Sequence, residues 1–307
     1  MKLLYKGVDI WGDVSVNRIF HDMYAEKHAD TLTIRLNDTR KLWDGWSPAP
    51  DDEIAVEDGA AKSGAMFVES MTPENGLYVL RATSIPQGMA KTRRSKSWEK
   101  VKFKLLVEEI ASRHGLAVSY YGITDQAYNY VAQQDLPDVA FLQQRCTLEG
   151  AAFLVYDGTL VVYDEAYMEG QSASKTLTIP RSADFEYEDN AANAYGSVSV
   201  VNGGFTGTFS AGNGLAKELS RILKVQIGSQ AEADRFAKAI LRDVNKGMTT
   251  GTFWTTGLLR DYAAGSVIDV QTPGAGSWNG AGFVTHMRHD YTKKTTKITF
   301  RKPLEGY

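Results

Sequence analysis

The side chains able to do acid–base, nucleophilic or metal chemistry in this 307-residue chain are five histidines, one cysteine and 37 aspartates and glutamates. The histidines are His21, His28, His114, His286 and His289. His286 and His289 are three apart; on a strand they point to opposite faces, a poor arrangement for a shared metal. His114 follows a helical stretch, where the helix dipole mildly favours a cation. Cys146 lies in a helical segment beside Leu142 and reads as a small buried hydrophobe, not a nucleophile. A lone cysteine also excludes internal disulfides and multi-cysteine metal sites. No G-x-S-x-G elbow, G-x-x-x-x-G-K-[ST] phosphate loop or H-E-x-x-H motif occurs. Asp51, Asp52, Glu53, Glu57 and Asp58 cluster in an expected loop. Two carboxylates suffice for glycoside hydrolysis, but a solvated acidic loop is the simpler reading. The expectation is no catalytic centre, no metal and no cofactor.

The elements that would position any site are mostly strands. Leu32, Ile34 and Leu36 in DTLTIRLND alternate with polar neighbours, as do Val8, Ile10, Val14 and Val16. AMFVESM and LYVLRAT continue the pattern around Thr72–Gly76, where Asn75–Gly76 predicts a hairpin turn. From residue 103 the period changes. Phe103, Leu106, Val107, Ile110 and Ala111 form one helical face, and Gly115 marks its stop. LAVSYYG reads as a strand, Pro137 and Asp138 open a second helix that Gly150 ends, and Asp157–Gly158 predicts a hairpin over 151–165. Strands then return, interrupted by a helix over 229–246. Ser229 and Glu232 supply a capping box for it, and Ala233, Phe236, Ala237, Ile240, Leu241 and Val244 its apolar stripe. The expected fold class is mainly β with an α+β insert: a first β-barrel over 1–94, a small α/β unit over 95–170, and a second β-barrel over 171–307.

Charge is unevenly spread. Lys plus Arg is 34 against 37 acids, a net charge of -3, so no global nucleic-acid footprint exists. No run of 18 apolar residues predicts a membrane helix, and the first residues lack the apolar core of a signal peptide. Residues 91–104 carry seven bases and one acid, whereas 157–189 carry eight acids and two bases. Such opposite blocks pair between copies or remain two solvated surfaces. Trp43 and Trp46 in KLWDGWSPAP read either as an exposed interface anchor or as a plug for a barrel end. Gly is dense over 203–214, which reads as a long, mobile loop.

Two long pieces, SWEKVKFKLLVEEIASRHGL and QQDLPDVAFLQQRCTLEGAAFLVYDGTLVVYDE, spanning Trp98 to Glu165 with the interval between them, resemble the middle part of phage tail baseplate hub proteins of the late control gene D family. The shared pattern is a Trp, a helix ending in IA..HGL, a Gln-rich turn, a D..FL....EGA helix and a short hairpin. The flanks agree: DTLTIRLND, Trp43 and Pro50-Asp51-Asp52-Glu53-Ile54 resemble the family's first strand, tryptophan loop and PxxGDxI step, with Asp52 where the family has Gly. AAGSVIDVQ, GAGFVTHMRHDY and TTKITF resemble its closing strands, His289 standing on a recurrent histidine position.

The resemblance implies a non-enzymatic hub, similar to the hub part of type VI secretion spike proteins. Three copies would form a ring, each giving two related β-barrels, so that a homotrimer presents six to a hexameric tail tube and receives a trimeric central spike. Implied partners are a second and third copy, the tail tube protein, the spike and other baseplate or tape-measure proteins, with no stable nucleic-acid binding and no membrane insertion. The implied location is the baseplate of a virion or tail particle, after synthesis and assembly in the bacterial cytoplasm. A spike made as a separate chain and no lysozyme module are also expected. The alternative is a peptidoglycan-binding or cell-wall-degrading tail component, with Trp98 or Tyr120 against a glycan. Under the hub reading the candidate interface residues are Trp43, Trp46, Arg93, Arg94, Trp98, Asn202, Gly203, Gly204, Phe205 and Asn213. The 203–214 segment is expected to be dispensable for folding but needed for assembly.

Overall fold

The computed structural model describes residues 1–41, 48–180 and 184–307. The first part is antiparallel sheet. Its strands are β1 (Lys2–Tyr5), β2 (Val8–Asp9), β3 (Val16–Tyr24), β4 (Thr31–Asn37), β5 (Glu53–Asp58), β6 (Ala61–Lys62), β7 (Met66–Glu74) and β8 (Leu77–Thr83). The alternation read from DTLTIRLND is realised, with Leu32, Ile34 and Leu36 fully buried between half-buried neighbours. The hairpin turn tightens to Asn75–Gly76, with Gly76 at φ +70°. The acidic cluster is largely strand β5 and its hairpin rather than a loop.

The middle of the chain follows helix α1 (Gln87–Lys91). The basic segment is a strand, β9 (Arg93–Lys102), leading into α2 (Phe103–Arg113). All five residues of the expected stripe on α2 are buried. The helix ends as its glycine demands: Gly115 at φ +68° lets Leu116 N–H reach Ala111 O and Gly115 N–H reach Ser112 O, a Schellman motif. Then come β10 (Ala117–Tyr121), β11 (Ala127–Pro137), α3 (Asp138–Leu148), β12 (Ala151–Tyr156), β13 (Thr159–Asp164) and α4 (Glu165–Glu169). Asp157 and Gly158 both have positive φ, the geometry of a two-residue hairpin loop matched to strand twist. The Gln-rich turn expected before α3 is instead the end of a long strand. β11 pairs with β9 as a two-stranded arm, bulged between Gln133 and Leu136.

The last part contains β14 (Thr176–Thr178), β15 (Phe185–Asp189), β16 (Ser197–Asn202), β17 (Phe205–Ser210), β18 (Glu218–Ile222), α5 (Gln230–Asn245), β19 (Thr249–Thr255), β20 (Val267–Gln271), β21 (Gly280–Asp290) and β22 (Thr295–Arg301). Ser229 caps α5 by accepting Glu232 N–H, while the Glu232 carboxylate accepts Gly228 N–H. The 203–214 segment is not a free loop. It turns at Gly203–Gly204 into β17, which pairs with β16 and packs against α5. A Cβ on Gly207 would stand 2.0 Å from Ala233 O, so this contact requires glycine. Removing 203–214 would therefore remove a packed strand, not a dispensable loop.

β16, β17 and β18 form a separate three-stranded sheet, while the other strands of the two strand-rich ends belong to one sheet. Its fourteen strands follow the main path β15-β19-β22-β21-β3-β4-β8-β7-β5-β1-β2, with β14, β20 and β6 branching off. β21 pairs with β3, placing Met287 opposite Met23 and His289 opposite His21. The mainly β class with an α/β insert therefore holds, but two closed barrels are absent among the described residues. The path is open, with β15 and β2 at its ends. Three cores fill the molecule. One lies in the first half of the sheet around Ile19, Ile34 and Val68, and one in the second half around Ile268, Phe283 and Phe300. The third joins Phe103, Leu106 and Phe141 of the α/β unit to Val198, Val200 and Phe236. Helix α5 thus shares a core with α2 and α3.

Candidate functional site

Most of the chemically able side chains are engaged in structural contacts; His28 is exposed. His286 Nε2 lies 2.7 Å from Asp22 Oδ1, and His289 Nδ1 lies 2.9 Å from Thr296 Oγ1, so the two histidines serve separate surroundings as their spacing implies. His114 Nε2 lies 2.7 Å from the Asp138 carboxylate, which also accepts two bonds from Arg113. Cys146 is fully buried, and burial pushes its thiol well above the usual range, as expected of a packing residue. In the acidic cluster Asp52 pairs with Lys6 at 2.6 Å, Asp58 with Lys294 at 2.8 Å and Glu57 with Lys62 at 3.3 Å. Asp51 accepts Gln87 N–H.

At the joint of the two sheet halves His21 is fully buried, and neither ring nitrogen has a hydrogen-bond partner among the described residues. Its ring stacks on Tyr291 at 6.5 Å and stands 6.4 Å from His289. Burial, reinforced by His289, pushes His21 down to about 3; burial, reinforced by Arg260, pushes His289 down to about 4. Both are neutral imidazoles at ordinary pH.

A second cluster lies where β3, α4, α5 and β22 converge. Arg301, 2% exposed, pairs with Glu169 at 2.6 Å and with Glu26 and Glu165. Arg242 pairs with Glu169 at 2.7 Å. Lys246 pairs with Glu165 at 2.6 Å, Asp243 at 2.9 Å and Glu26. Among the described residues the one carboxylate group close enough to ligate a metal is Glu26, Glu165 and Asp243, whose oxygens lie within 4.8 Å. The Lys246 ammonium already stands on all three. This cluster ties segments far apart in sequence, and sequence reasoning missed it because its members are scattered from residue 26 to 301. It also takes Glu165 and Glu169 out of the acidic 157–189 block, read as either a surface pairing with another copy or a solvated one.

The expected interface residues separate. Trp43 and Trp46 lie outside the described residues. Arg93 is exposed and pairs with Asp135 at 3.1 Å; Arg94 reaches Asp138 at 3.5 Å. Trp98 is a core residue, 8% exposed, stacked on Phe141 at 5.4 Å with its indole N–H donating to Glu109. It therefore offers no face to a glycan or a partner. Trp98 and Val101, three apart in β9, are both buried because Lys100 between them, at φ +47°, breaks the strand's alternation. Asn213 caps a local turn, accepting Leu215 N–H and donating to Tyr195 O.

Asn202, Gly203 and Phe205 come together on one wall of a groove of about 860 Å³. Gly204 completes the same turn at φ +102°. Asn202 donates to the carbonyls of Leu223 and Val225 and so holds the adjoining wall in place. Residues 129–132 of β11 and Arg145 of α3 also line the groove. β11 and Arg145 had no signal in the sequence as a pair. The strand does not alternate strictly, and an arginine in a helix reads as solvent-facing until packing buries it.

No family model matches the chain, and no curated protein matches it. Solved structures do. The chain is similar to the 43 kDa tail protein of prophage MuSo2 from Shewanella oneidensis, with a TM-score of 0.77 at 9% identity over 98% of both chains. It is also similar to a tail protein from Neisseria meningitidis MC58, with a TM-score of 0.76 at 13% identity over 98% of this chain and 95% of that one. The fold is that of phage tail proteins. An Escherichia coli component of the type VI secretion system, described as structurally similar to the phage T4 tail proteins gp27 and gp5, shares it too. That match has a TM-score of 0.63 at 14% identity, covering 100% of this chain and 79% of the other. The tail-protein fold extends over the whole chain, the α/β insert included.

Proposed function

We propose that this chain is a structural hub of a contractile tail, a homotrimeric ring joining a hexameric tail tube to a trimeric central spike in a phage or tailocin baseplate. The observation that carries this reading is the tail-protein fold over 98% of both this chain and the Shewanella tail protein. A non-enzymatic role agrees with how the able side chains are used: the acids of the buried cluster hold cations, His21, His114, His286 and His289 are buried or paired, and Cys146 is packed. The open sheet ends β15 and β2 are the natural sites for pairing between subunits, because an unpaired strand edge is a template for another. In this reading Arg93, on the exposed arm, and the β16–β17 turn at Gly203–Gly204 face the tube, spike or tape-measure proteins. The units 1–94, 95–170 and 171–307 act as assembly parts, with α5 moving with the middle one. Synthesis and assembly take place in the bacterial cytoplasm. Among the described residues no helix is long and apolar enough to cross a membrane.

Native mass in solution over a concentration series at two salt levels tests the proposal. A species at three times 33.9 kDa, alone or on adding the cognate spike protein, is expected. A monomer that stays monomeric with the spike present refutes the hub.

A further inference from the structure

We propose that the groove between β11 and the segment 224–228 binds an extended acidic peptide segment of a partner protein, a carboxylate of which pairs with Arg145. Arg145 is 3% exposed, and its Nε and Nη2 have no hydrogen-bond partner among the described residues. Its guanidinium lies 4.5 Å from the ring of Tyr128 and 5.5 Å from that of Phe236. Aromatic faces hold the cation but cannot accept its in-plane N–H groups. The nearest acid on its own helix turn, Glu149, is used by Arg235 at 2.6 Å and by the Tyr128 hydroxyl at 2.6 Å. A buried guanidinium left with free donors is costly to the fold unless something completes it.

The groove it lines is built for a chain segment. No carboxylate lies among its lining residues, while Lys224 adds a second positive charge. Residues 129–132 of β11 line it consecutively, so both faces of the strand meet it and its backbone edge is turned toward it. Among the described residues β11 pairs only with β9, which leaves its other edge free. An added strand would take the backbone hydrogen bonds, and the guanidinium fork would read a carboxylate bidentately. The volume, about 860 Å³, admits several residues. This pairing does not require the hub role.

The test uses the full-length protein and two capped hexapeptides, one alternating valine with glutamate and one valine with glutamine, titrated by calorimetry. The glutamate peptide is expected to bind at least tenfold tighter than the glutamine peptide. Arg145→Met should erase that difference without lowering the melting midpoint, and Arg145→Lys should restore part of it, since the charge returns without the fork. Failure of the glutamate peptide to bind, or equal binding of the two, overturns the proposal. So does a clear fall in the melting midpoint of Arg145→Met, which would make the guanidinium a structural group. Displacement of the glutamate peptide by inorganic phosphate at equal charge would show an isolated anion site, and would overturn it as well.

Discussion

Replacing His21 by Phe should change the pH dependence of stability by a calculable amount. His21 sits at the β3–β21 pairing, buried and with both nitrogens unsatisfied. Its folded pKa of about 3 lies far below the ordinary value near 6.5. Below pH 6.5 the unfolded chain therefore binds a proton that the folded chain refuses, and the neutral ring's contribution is lost as pH falls toward 3. Between pH 8 and pH 5 this amounts to about 2 kcal/mol, at about 1.4 kcal/mol for each pH unit below 6.5. Asp30 and Glu165, raised by burial to about 7, act in the opposite direction across the same range. The quantity to measure is thus the difference between wild type and His21→Phe. Phe keeps the stacking on Tyr291 and abolishes two unpaired nitrogens, so at pH 8 the variant should match or exceed wild type by about 1 kcal/mol. At pH 5 its advantage should grow by about 2 kcal/mol. Urea unfolding at 25 °C at the two pH values, followed by tryptophan fluorescence, gives both numbers. A difference that does not change with pH would refute the reasoning, as would a variant weaker than wild type at pH 8.

Other substitutions probe the remaining parts. Asp30→Asn should stabilise by at most about 4 kcal/mol at pH 8, the gain shrinking toward zero near pH 4 where the native carboxyl is already neutral; denaturation over that range reads it. Lys246→Met leaves Glu26, Glu165 and Asp243 facing one another and should cost about 3–5 kcal/mol. Adding Glu165→Gln should recover part of that loss in the same unfolding assay. Gly207→Ala forces a Cβ against Ala233 O and should cost about 3 kcal/mol. Gly203→Ala, with open space but a φ of +57°, should cost only about 1 kcal/mol, and thermal unfolding of the two side by side separates clash from backbone strain.

Much of the local structure was legible in the amino-acid order because its causes are local. Period-two alternation placed β4, and the α2 and α5 stripes placed two helices. Gly115 and Asp157–Gly158 placed a stop and a turn, each through a conformation only a few residue types adopt readily. The opposite facing of His286 and His289 followed from spacing alone. The resemblance carried by Trp98 to Glu165 pointed to the tail-protein fold that the comparison of structures then found. What lay beyond reach were the relations between distant segments. Strand alternation says which side chains turn inward but not which strand lies alongside, so the β21–β3 pairing that fuses two expected barrels into one open sheet was decided only by tertiary packing. The 203–214 segment looked like a loop because glycines carry no pattern, yet Gly207 is there so that β17 can approach α5. Charges were the hardest to read. Glu165 and Glu169 belonged to an apparent acidic surface until the fold brought Arg242, Lys246 and Arg301 to them, and nothing in the sequence marks Arg145 as the arginine that Tyr128 and Phe236 close over. Whether a charge is solvated, paired or left waiting for a partner depends on its burial and on distances of a few ångströms, which sequence order does not contain.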